Sequence, residues 1–360
     1  MTSAPSAAAQ PTTAQPTTAS VARRISVVGG DGIGPEVIAA ARQVLDATGV
    51  ALDYIDVPVS ATRYLQTGEL LPDADLETLR GTDAILFGAV GHPEVPPGIM
   101  ERDLLLRLRF EFDLGLNVRP VKLLPGQSSL VSTATPETVD WIFVRENTEG
   151  PYVGTGGRFR RGSEHEVAVQ DSINTRHGIR RAAEYAFGLA ESRRGKLTWS
   201  HKTNVMLHAG GLWADVIAEV ATLHPGVELE YQHADAMTIH LIRRPQDFDV
   251  IVTDNLFGDL LTDLGGEIGG GVGLMPSANF TPGSSLPGLF EPIHGSAPDI
   301  AGQGIANPTG AVLSAALMLR ALGFQAEAAS VEQAVLAAAV AGGLSGSTDR
   351  VTAAIIAALV

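Results

Sequence analysis

The feature that most restricts how this chain folds is a strand–turn–helix unit that recurs along it. The segment RRISVVGGDGIGPEVIAAARQVLDATG begins as a short β-branched strand, passes through a glycine-rich turn and continues as a helix from about Pro35. TDAILFGAVG has the pattern of a buried strand, and FDVIVTDN followed by LFGDLLTDL repeats the strand-to-helix order. Because alternating strands and helices build a sheet of parallel neighbours covered by helices, the pattern predicts an α/β fold with a largely parallel sheet.

Composition limits the class of protein further. A chain of 360 residues is long enough for about two domains, and with 45% hydrophobic but only 5% aromatic residues its core must be aliphatic. The formal charge of −15 argues against non-specific binding to nucleic acid or anionic lipid. No apolar run approaches the roughly 18 residues of a membrane-spanning helix. The absence of cysteine excludes disulfides and thiolate metal sites, and fits a reducing compartment such as the cytoplasm.

The amino-terminal segment differs from the rest of the chain. MTSAPSAAAQPTTAQPTTASVA contains no charged side chain and repeats the motif AQPTT. It lacks the basic start and apolar stretch of a secretory signal, and it lacks the arginines of a mitochondrial presequence. Because such a segment buries too little apolar surface to offset the cost of ordering, residues 1–23 are predicted to be a disordered tail.

The glycine-rich turn GGDGIG invites comparison with the dinucleotide-binding fingerprint of the Rossmann fold. That fingerprint requires G-x-G-x-x-G, whereas Gly30, Gly32 and Gly34 give G-x-G-x-G and Pro35 stands where the third glycine belongs. The spacing therefore excludes a Rossmann site. A turn that caps a helix and a turn of another class that lines a ligand both remain open.

Paired carboxylates stand out in the otherwise apolar segment DNLFGDLLTD. Asp259 and Asp263 are four residues apart and would share a helix face, where like charges repel unless a cation lies between them. Asp235, in YQHADAMTIHLI, is another isolated acid. Three carboxylates suit Mg²⁺ or Mn²⁺, which prefer oxygen ligands. Alternatively, Asp263 is an exposed helical acid and Asp235 a helix cap; Asp254 is interpreted as a cap of the helix start.

Three arginines occupy unusual positions for a residue type that is rarely buried without a partner. Arg109 lies in the leucine-rich helix ERDLLLRLRFEFD, Arg119 in NVRP and Arg145 at the end of DWIFVRE. A cluster of the three would suit a substrate with more than one carboxylate. In the leucine-rich helix, Arg102, Leu105, Leu106 and Arg109 follow α-helical spacing, which predicts one face with two apolar side chains bounded by charge. The alternative is that these arginines only extend over a core helix.

Two further residues are candidates for proton transfer. Lys202, in SHKTNVM, follows the strand-like LTWS, and a partly buried lysine among cations can serve as a base. Tyr152 lies between Gly150 and Gly154, which leaves its hydroxyl free to approach a ligand. Each is a weak signal when taken alone.

Taken together, these motifs resemble the isopropylmalate/isocitrate dehydrogenase family of decarboxylating β-hydroxyacid dehydrogenases. The resemblance covers roughly residues 24 to 345. It rests on eight motifs in order: GDGIGPEV, LLLRLRFEFDLGLNVRP, VRENTEGPYVG, HKTNVM, DAMTIHLI, NLFGDLLTDL, GLMPSANF and FEPIHGSAPDIAGQGIANPTGAVLSAALML. It implies a two-domain fold with a largely parallel mixed sheet. Residues 24–115 and 271–360 would form a cofactor-side domain, and residues 116–270 a dimerisation and metal-site domain with an extended arm near 146–170.

The resemblance also implies a role for each matched residue. Arg109, Arg119 and Arg145 would hold the carboxylates of a malate, and Asp235, Asp259 and Asp263 would hold Mg²⁺ or Mn²⁺. Lys202 would take part in deprotonating the 2-hydroxyl, and Tyr152 would return a proton to the carbanion carbon. The family architecture implies a homodimer in which Lys202 and Asp235 reach into the partner's site.

The cofactor would lie along EPIHGSAPDIAGQGIANP. Asp299 stands where NADP-specific members carry a cation, and because a carboxylate repels a 2′-phosphate but can bond ribose hydroxyls, the resemblance implies NAD. The other matched cofactor positions are Glu291, His294, Gly295 and Asn307.

Substrate choice is expected to depend on the leucine-rich helix. Isocitrate enzymes have small polar side chains there, whereas Leu105, Leu106 and Val205 suit a branched alkyl group. The resemblance therefore implies a 3-alkylmalate, with 3-isopropylmalate of leucine biosynthesis first. Asp103 stands where glycine is expected, and Asn147 matches the tartrate/D-malate branch. D-malate, tartrate or another 3-substituted malate of a specialised pathway therefore stay open.

Two hypotheses come from other functional classes. A catalytically silent regulatory subunit would have lost an arginine, Lys202, Tyr152 or a metal aspartate, and none is missing. A Mg²⁺-dependent phosphohydrolase would act on phosphate esters without nicotinamide, but the sequence holds no P-loop.

Overall fold

The structure, a computed structural model, describes residues 22–359 and has the α/β architecture that the sequence predicts. The predicted tail lies outside the described residues except for its last two, and the first strand already begins at Arg23. The strands are β1 (Arg23–Gly30), β2 (Leu52–Asp56), β3 (Ala84–Ala89), β4 (Leu116–Lys122), β5 (Asp140–Glu146), β6 (Gly156–Phe159), β7 (Val167–Gln170), β8 (Lys196–His201), β9 (Glu228–His233), β10 (Val250–Thr253), β11 (Pro276–Phe280) and β12 (Gly288–Pro292).

The helices alternate with the strands along most of the chain. They are α1 (Gly34–Ala47), α2 (Ala61–Thr67), α3 (Asp73–Arg80), α4 (Arg107–Glu111), α5 (Arg176–Glu191), α6 (Leu207–Ala221), α7 (Ala234–Arg243), α8 (Asn255–Ile268), α9 (Thr309–Ala321), α10 (Gln325–Val340) and α11 (Thr348–Ala357). A π-helical turn (Glu101–Leu106) precedes α4, and 3₁₀ turns cover Pro151–Val153, Pro245–Asp247 and Val272–Leu274. Within the described residues, no helix combines the length and apolar character needed to cross a bilayer.

Ten strands form one continuous sheet in the order β2-β1-β3-β12-β11-β4-β5-β10-β8-β9. The neighbours are parallel except at β12–β11, β11–β4 and β4–β5, which are antiparallel. The prediction of a largely parallel mixed sheet is therefore confirmed. Helices cover both faces, as a buried parallel sheet requires.

The two predicted segments each contribute five consecutive strands to the sheet. The strands from β2 to β11 come from the chain ends, those from β4 to β9 come from the middle segment, and the two sets meet at the β11–β4 pair. The division into two domains stays a prediction, because the sheet itself runs unbroken from one set to the other. Strands β6 and β7 form a separate hairpin within the segment predicted as an arm.

The glycine-rich turn between β1 and α1 is a backbone contact site. Gly30 and Gly32 have φ values of 77° and 59°, which favour glycine. A Cβ on Gly32 would lie 1.9 Å from the carbonyl oxygen of Ser296, so only glycine permits this approach. The turn therefore packs directly against the loop after β12, in agreement with the exclusion of a Rossmann site.

The same turn presents Asp31, a buried carboxylate that holds neighbouring segments together. One oxygen accepts from the backbone N–H groups of Ala61 (2.6 Å) and Gly91 (3.2 Å). The other accepts from the N–H (3.0 Å) and the hydroxyl (2.7 Å) of Thr62. Asp31 thereby fixes the start of α2 and the loop after β3 to the turn.

We predict that Asp31→Asn lowers the free energy of unfolding by about 2 to 4 kcal/mol. The amide keeps the shape but has only one accepting oxygen, so buried donors on the other side lose their partner. Urea unfolding followed by circular dichroism measures the loss, with the exposed Asp53→Asn on β2 as the matched control. Equal stability of the two variants would show that the bonds to Asp31 are replaced by water.

Candidate active site

Two of the three predicted arginines project from adjacent strands toward the same helix. Arg119 on β4 and Arg145 on β5 occupy the sheet face that α8 covers, and Arg145 is only 1% exposed. The Arg145 guanidinium donates to the Asn255 side-chain oxygen from Nε (3.0 Å) and from a terminal nitrogen (2.7 Å). Arg119 donates to the Thr262 hydroxyl at 2.6 Å. Both arginines are thus held in place by α8 before any ligand binds.

Helix α8 carries the predicted pair of carboxylates. Asp259 bonds a terminal nitrogen of Arg145 directly, and its other oxygen accepts from the Tyr152 hydroxyl at 2.9 Å. Terminal nitrogens of Arg119 lie 3.9 Å from Asp259 and 3.6 Å from Asp263. A Cβ on Gly258 would lie 2.5 Å from Cγ of Arg145, so the close approach of strand and helix requires glycine there.

Electrostatics distinguish the members of this cluster. Burial, together with repulsion from Arg145, lowers the pKa values of Arg109 and Arg119 to about 10. Burial opposes ionisation of Asp259, but Arg145 and Arg119 outweigh it and the pKa of Asp259 falls below its usual value. Burial raises the pKa of Asp263, against attraction by Arg119. The arginines therefore favour ionisation of Asp259 more effectively than that of Asp263.

Arg109, in α4, completes the set of arginines and lacks a full set of partners. One of its terminal nitrogens is buried without a hydrogen-bond partner. Arg145, Glu291, Arg119 and Asp259 are the charged groups that act on its guanidinium. A buried donor without an acceptor costs free energy, which a bound carboxylate would recover.

Tyr152 lies in the 3₁₀ turn between two glycines with positive φ, Gly150 (71°) and Gly154 (78°). The Arg145 guanidinium carbon lies 5.3 Å from the centre of its ring. Burial and the negative charge of Asp259 raise the pKa of Tyr152, so its hydroxyl keeps the proton at neutral pH. The structure thus brings Tyr152 to the arginines, and its hydroxyl is a proton donor.

Lys202 and Asp235 lie apart from this cluster and bind each other. Nζ of Lys202 is 2.7 Å from Oδ1 of Asp235, at the carboxyl end of β8 and the start of α7. In residues 22–359 of a single chain, no three acidic or histidine side chains come together as a metal site. Asp235 is therefore not joined to Asp259 and Asp263 within one subunit, and the predicted metal set stays a prediction that needs a second subunit.

The predicted substrate leucines differ in their surroundings. They lie in the π-helical turn, so the predicted α-helical spacing from Arg102 to Arg109 is wrong in this stretch. Leu105 packs against the apolar cluster beneath β1 and β3, whereas Leu106 is half-buried outside that cluster. Val205, in the loop after Lys202, is 67% exposed.

Of the predicted cofactor residues, Glu291 lies in β12, and His294, Gly295, Asp299 and Asn307 follow that strand. Glu291 accepts from the Asn279 side chain at 2.9 Å, and burial raises its pKa against the pull of Arg109 and Arg119. His294 contacts the carbonyl oxygen of Gly295 through Nδ1 (3.0 Å).

The other polar groups after β12 differ in whether they already have hydrogen-bond partners within the fold. Nε2 of His294 is buried without a partner, and Asp299 is exposed. The Asn307 side chain is used within the fold, because it donates to Leu344 O (3.0 Å) and accepts from Thr309 N (3.0 Å).

A chain of buried asparagines, which sequence reasoning missed, leads to Glu291. Asn147 and Asn117 both donate to the Asn279 side-chain oxygen, at 3.0 and 2.9 Å. Asn279 in turn holds Glu291. Asn147 is 0% exposed, and its amide also donates to the carbonyl oxygen of Leu114 at 3.0 Å. The alternation of Asn117 with Arg119 along β4 was the available signal.

A second buried pair, His201 and Asp254, lies at the ends of β8 and β10. Asp254 caps α8 as interpreted from the sequence, accepting from Phe257 N at 2.8 Å. Its other oxygen is 3.6 Å from Nε2 of His201 and has no hydrogen bond, and neither His201 nitrogen has one. Burial raises the pKa of Asp254 to about 7, with Glu146 adding to the rise, and lowers that of His201 to about 4.

Comparisons with known proteins show which proteins this chain is similar to. A sequence model described as isocitrate/isopropylmalate dehydrogenase matches residues 24–351. A 3-isopropylmalate dehydrogenase of Corynebacterium glutamicum (strain R) is 54% identical over 87% of this chain and 92% of that protein. One from Thermobifida fusca (strain YX) is 52% identical over 87% of this chain and 90% of its own length.

Solved structures show the same architecture. Isocitrate dehydrogenase from Methylococcus capsulatus superimposes with a TM-score of 0.84 at 33% identity, covering 94% of this chain and 99% of that one. A β-decarboxylating dehydrogenase from Thermococcus kodakarensis gives a TM-score of 0.76 at 36% identity, covering 94% and 96%.

The burial of Asp254 makes stability depend on pH. An unfolded aspartate ionises above about pH 4, whereas the folded one keeps its proton until about pH 7, so the folded state binds more protons in between and stability falls as pH rises through this window. We predict that Asp254→Asn, which keeps the cap oxygen, is stabilised relative to the parent by about 2 to 3 kcal/mol more at pH 8 than at pH 5.

Chemical unfolding at the two pH values measures this difference, with the exposed Asp215→Asn on α6 as the matched control. Burial lowers the pKa of His201 to about 4, so His201 stays neutral in the folded protein over this pH range and contributes equally to both proteins. A difference that does not change with pH would show that Asp254 is ionised in the folded protein.

Proposed function

We propose that this chain, which belongs to the isocitrate/isopropylmalate dehydrogenase family, catalyses the oxidative decarboxylation of a 3-alkylmalate with NAD and a divalent metal. The substrate that we favour is (2R,3S)-3-isopropylmalate, which yields 4-methyl-2-oxopentanoate (2-oxoisocaproate) and CO₂ in leucine biosynthesis. Relatives that bear the name 3-isopropylmalate dehydrogenase support this choice. The structural observation that carries the proposal is the cluster of three arginines with an unpaired, buried donor on Arg109.

The arginines would bind the two carboxylates of the substrate. Arg145 is already held by Asn255 and Asp259, so it offers a fixed guanidinium edge and pays little entropy on binding. Arg109 has a free donor, and terminal nitrogens of Arg119 lie near Asp259 (3.9 Å) and the exposed Asp263 (3.6 Å). Three cations in a partly buried cleft match a dianion better than a neutral or cationic substrate.

The acidic side chains of α8 fit a divalent metal. Asp259 favours the ionised form, and the Asp263 side chain is 65% exposed on the same helix face, so both present oxygen ligands of the kind that Mg²⁺ and Mn²⁺ prefer. Asp259, Asp263 and Asp235 of the partner subunit would hold the ion. When bound, the ion would polarise the C2 oxygen and stabilise the negative charge that remains as CO₂ leaves.

The loop after β12 fits a nicotinamide cofactor. The unpartnered Nε2 of His294 and the backbone around Gly295 offer polar contacts, and Glu291, in the strand before this loop, is attracted electrostatically by Arg109 and Arg119. When bound, NAD would accept the hydride from C2 of the substrate. Asp299 is exposed and would repel a 2′-phosphate, which supports NAD over NADP.

Two residues of the chain would move protons. Lys202 would take the proton of the 2-hydroxyl, since its amine faces a carboxylate that can orient it. Tyr152 retains its proton at neutral pH and lies beside Arg145, so it would deliver that proton to C3 after CO₂ departs.

A homodimer is part of the proposal, because Lys202 and Asp235 would act in the site of the partner. Large apolar side chains are exposed on the hairpin and on α7 and α8, as a protein interface requires. They are Phe159, Val167, Val169, Ile239, Ile242 and Leu260. The cytoplasmic location expected from the absence of cysteine stays a prediction.

The test of the function is NADH formation by the purified protein with Mg²⁺. We expect 3-isopropylmalate to give the highest kcat/KM among 3-isopropylmalate, D-malate, tartrate, isocitrate and homoisocitrate, and NADP to replace NAD poorly. Preference for D-malate or tartrate would contradict the alkyl pocket. No reaction with any of the five would overturn the proposal unless another 3-substituted malate reacts.

The two leucines of the π-helical turn should contribute unequally. We predict that Leu106→Ala lowers kcat/KM for 3-isopropylmalate by about 10- to 100-fold relative to D-malate, because a few methylene groups in an apolar pocket are worth about 1 to 3 kcal/mol. Leu105→Ala, the matched control, should instead lower stability and leave the substrate ratio nearly unchanged, because Leu105 packs in the core. The opposite pattern would show that Leu105 faces the substrate.

A further inference from the structure

The Lys202–Asp235 pair is supported by a hydroxyl group to which the proposed reaction assigns no role. Lys202 follows the end of β8, and Asp235 lies in the first turn of α7 after the end of β9. Each residue is thus carried by a turn at which a strand ends, and the two strands are parallel neighbours. What fixes one turn relative to the other also fixes the two charged groups.

Tyr231, on β9, bonds to both turns through its hydroxyl. It donates to the carbonyl oxygen of His201 at 3.0 Å, immediately before Lys202. Thr203, immediately after Lys202, donates its N–H to the Tyr231 hydroxyl oxygen (3.3 Å), and the two hydroxyl oxygens lie 2.7 Å apart. The Tyr231 hydroxyl oxygen also lies 2.8 Å from Nδ1 of His233, two residues before Asp235.

The tyrosine ring is itself fixed. It packs against Trp199 with the ring centres 4.3 Å apart, and Trp199 is only 7% exposed. The position of the hydroxyl is therefore set by core packing on β8 and β9 rather than by the loops that it contacts. The Tyr231 hydroxyl thus bonds the residues on both sides of Lys202 and the histidine two positions before Asp235. Because the ring is rigid, these bonds restrict the positions of Lys202 and Asp235.

We propose that Tyr231 is a positioning residue that holds Lys202 and Asp235 in register for the active site of the partner subunit. The inference rests on the proposed function, in which Lys202 takes the proton of the 2-hydroxyl and Asp235 binds the metal. Tyr231 itself touches neither substrate nor cofactor in this scheme. Its effect is on the geometry of the two residues that do.

The first test is Tyr231→Phe, which removes one oxygen and keeps the packing against Trp199. We expect kcat for 3-isopropylmalate to fall about 10- to 100-fold, because small displacements of a catalytic group carry penalties of this size. KM for NAD should stay within about twofold, because the predicted cofactor residues lie in the other half of the sheet. Thr203→Val, which removes one of the bonds, should give a smaller loss in kcat.

The matched control is Tyr54→Phe. The Tyr54 hydroxyl, like that of Tyr231, is hydrogen-bonded, and it donates to Asp46 at 3.1 Å. Tyr54 lies on β2, at the edge of the sheet opposite to β9. We expect Tyr54→Phe to keep the parent kcat. Urea unfolding of both variants shows whether a loss of activity follows from a loss of folded protein.

Hybrid dimers test whether the effect crosses the subunit boundary. Arg109→Met inactivates the substrate site of the subunit that carries it. In a dimer of Tyr231→Phe with Arg109→Met, the intact arginine site receives Lys202 from a subunit with a normal Tyr231, so one site should work at the parent rate. The second hybrid pairs the parent chain with a chain that carries both Tyr231→Phe and Arg109→Met. Its intact arginine site, on the parent chain, receives Lys202 from the subunit with the altered Tyr231 and should be slow.

The opposite order of the two hybrids, or a parent kcat for Tyr231→Phe, would overturn the proposal. Failure of the proposed function would look different, because the parent protein would then not oxidise a 3-alkylmalate at all. Equal loss in both hybrids, accompanied by a lower unfolding midpoint, would assign Tyr231 a purely structural role.

Discussion

A guanidinium group that is almost completely shielded from water, that of Arg145, joins β5 to α8. A buried charge is tolerated only when it is paired and hydrogen-bonded, and removal of one partner from such a pair typically costs about 3 to 5 kcal/mol. Asn255 and Asp259 supply the partners, and Gly258 leaves room for the arginine stem. Together with the apolar packing of Leu261 and Ile268, this requirement fixes the helix against the sheet and sets the direction of Asp259 and Asp263.

The three antiparallel strand pairs explain why the site lies where it does. At β11–β4 the two sets of strands meet, so Arg119 on β4 and Asn279 on β11 come from segments that are distant in sequence but adjacent in the sheet. Asn279 then carries the contact to Glu291 on β12. Arg119 and Arg145, proposed for the substrate, and Glu291, proposed for the cofactor, therefore belong to one hydrogen-bonded sheet.

Much of this arrangement was readable from the sequence because its signals are local. Each of three signals lies within about 20 residues. They are the strand-to-helix alternation, the glycine spacing that does not match the Rossmann fingerprint, and the two aspartates four residues apart. The π-helical turn was not predicted, because its residues have ordinary helical pattern and the extra residue per turn is visible only in the hydrogen bonds. The asparagine chain and the His201–Asp254 pair depend on which strands become neighbours, and strand order is set by contacts between distant segments. Asp235, Asp259 and Asp263 do not come together within the described part of one chain, and their predicted grouping involves two molecules.

The division of the sheet between the chain ends and the chain middle has a consequence for how the protein forms. Strands from the middle segment are continuous in sequence and can pair as they emerge from the ribosome. The strands from the chain ends cannot all pair until the last third of the chain is present, because β3 pairs with β12 and the glycine-rich turn packs against Ser296. Glu36 likewise bonds Thr348, 312 residues away. Contacts of such long sequence separation slow folding, so we expect the part that carries the proposed cofactor loop to assemble last.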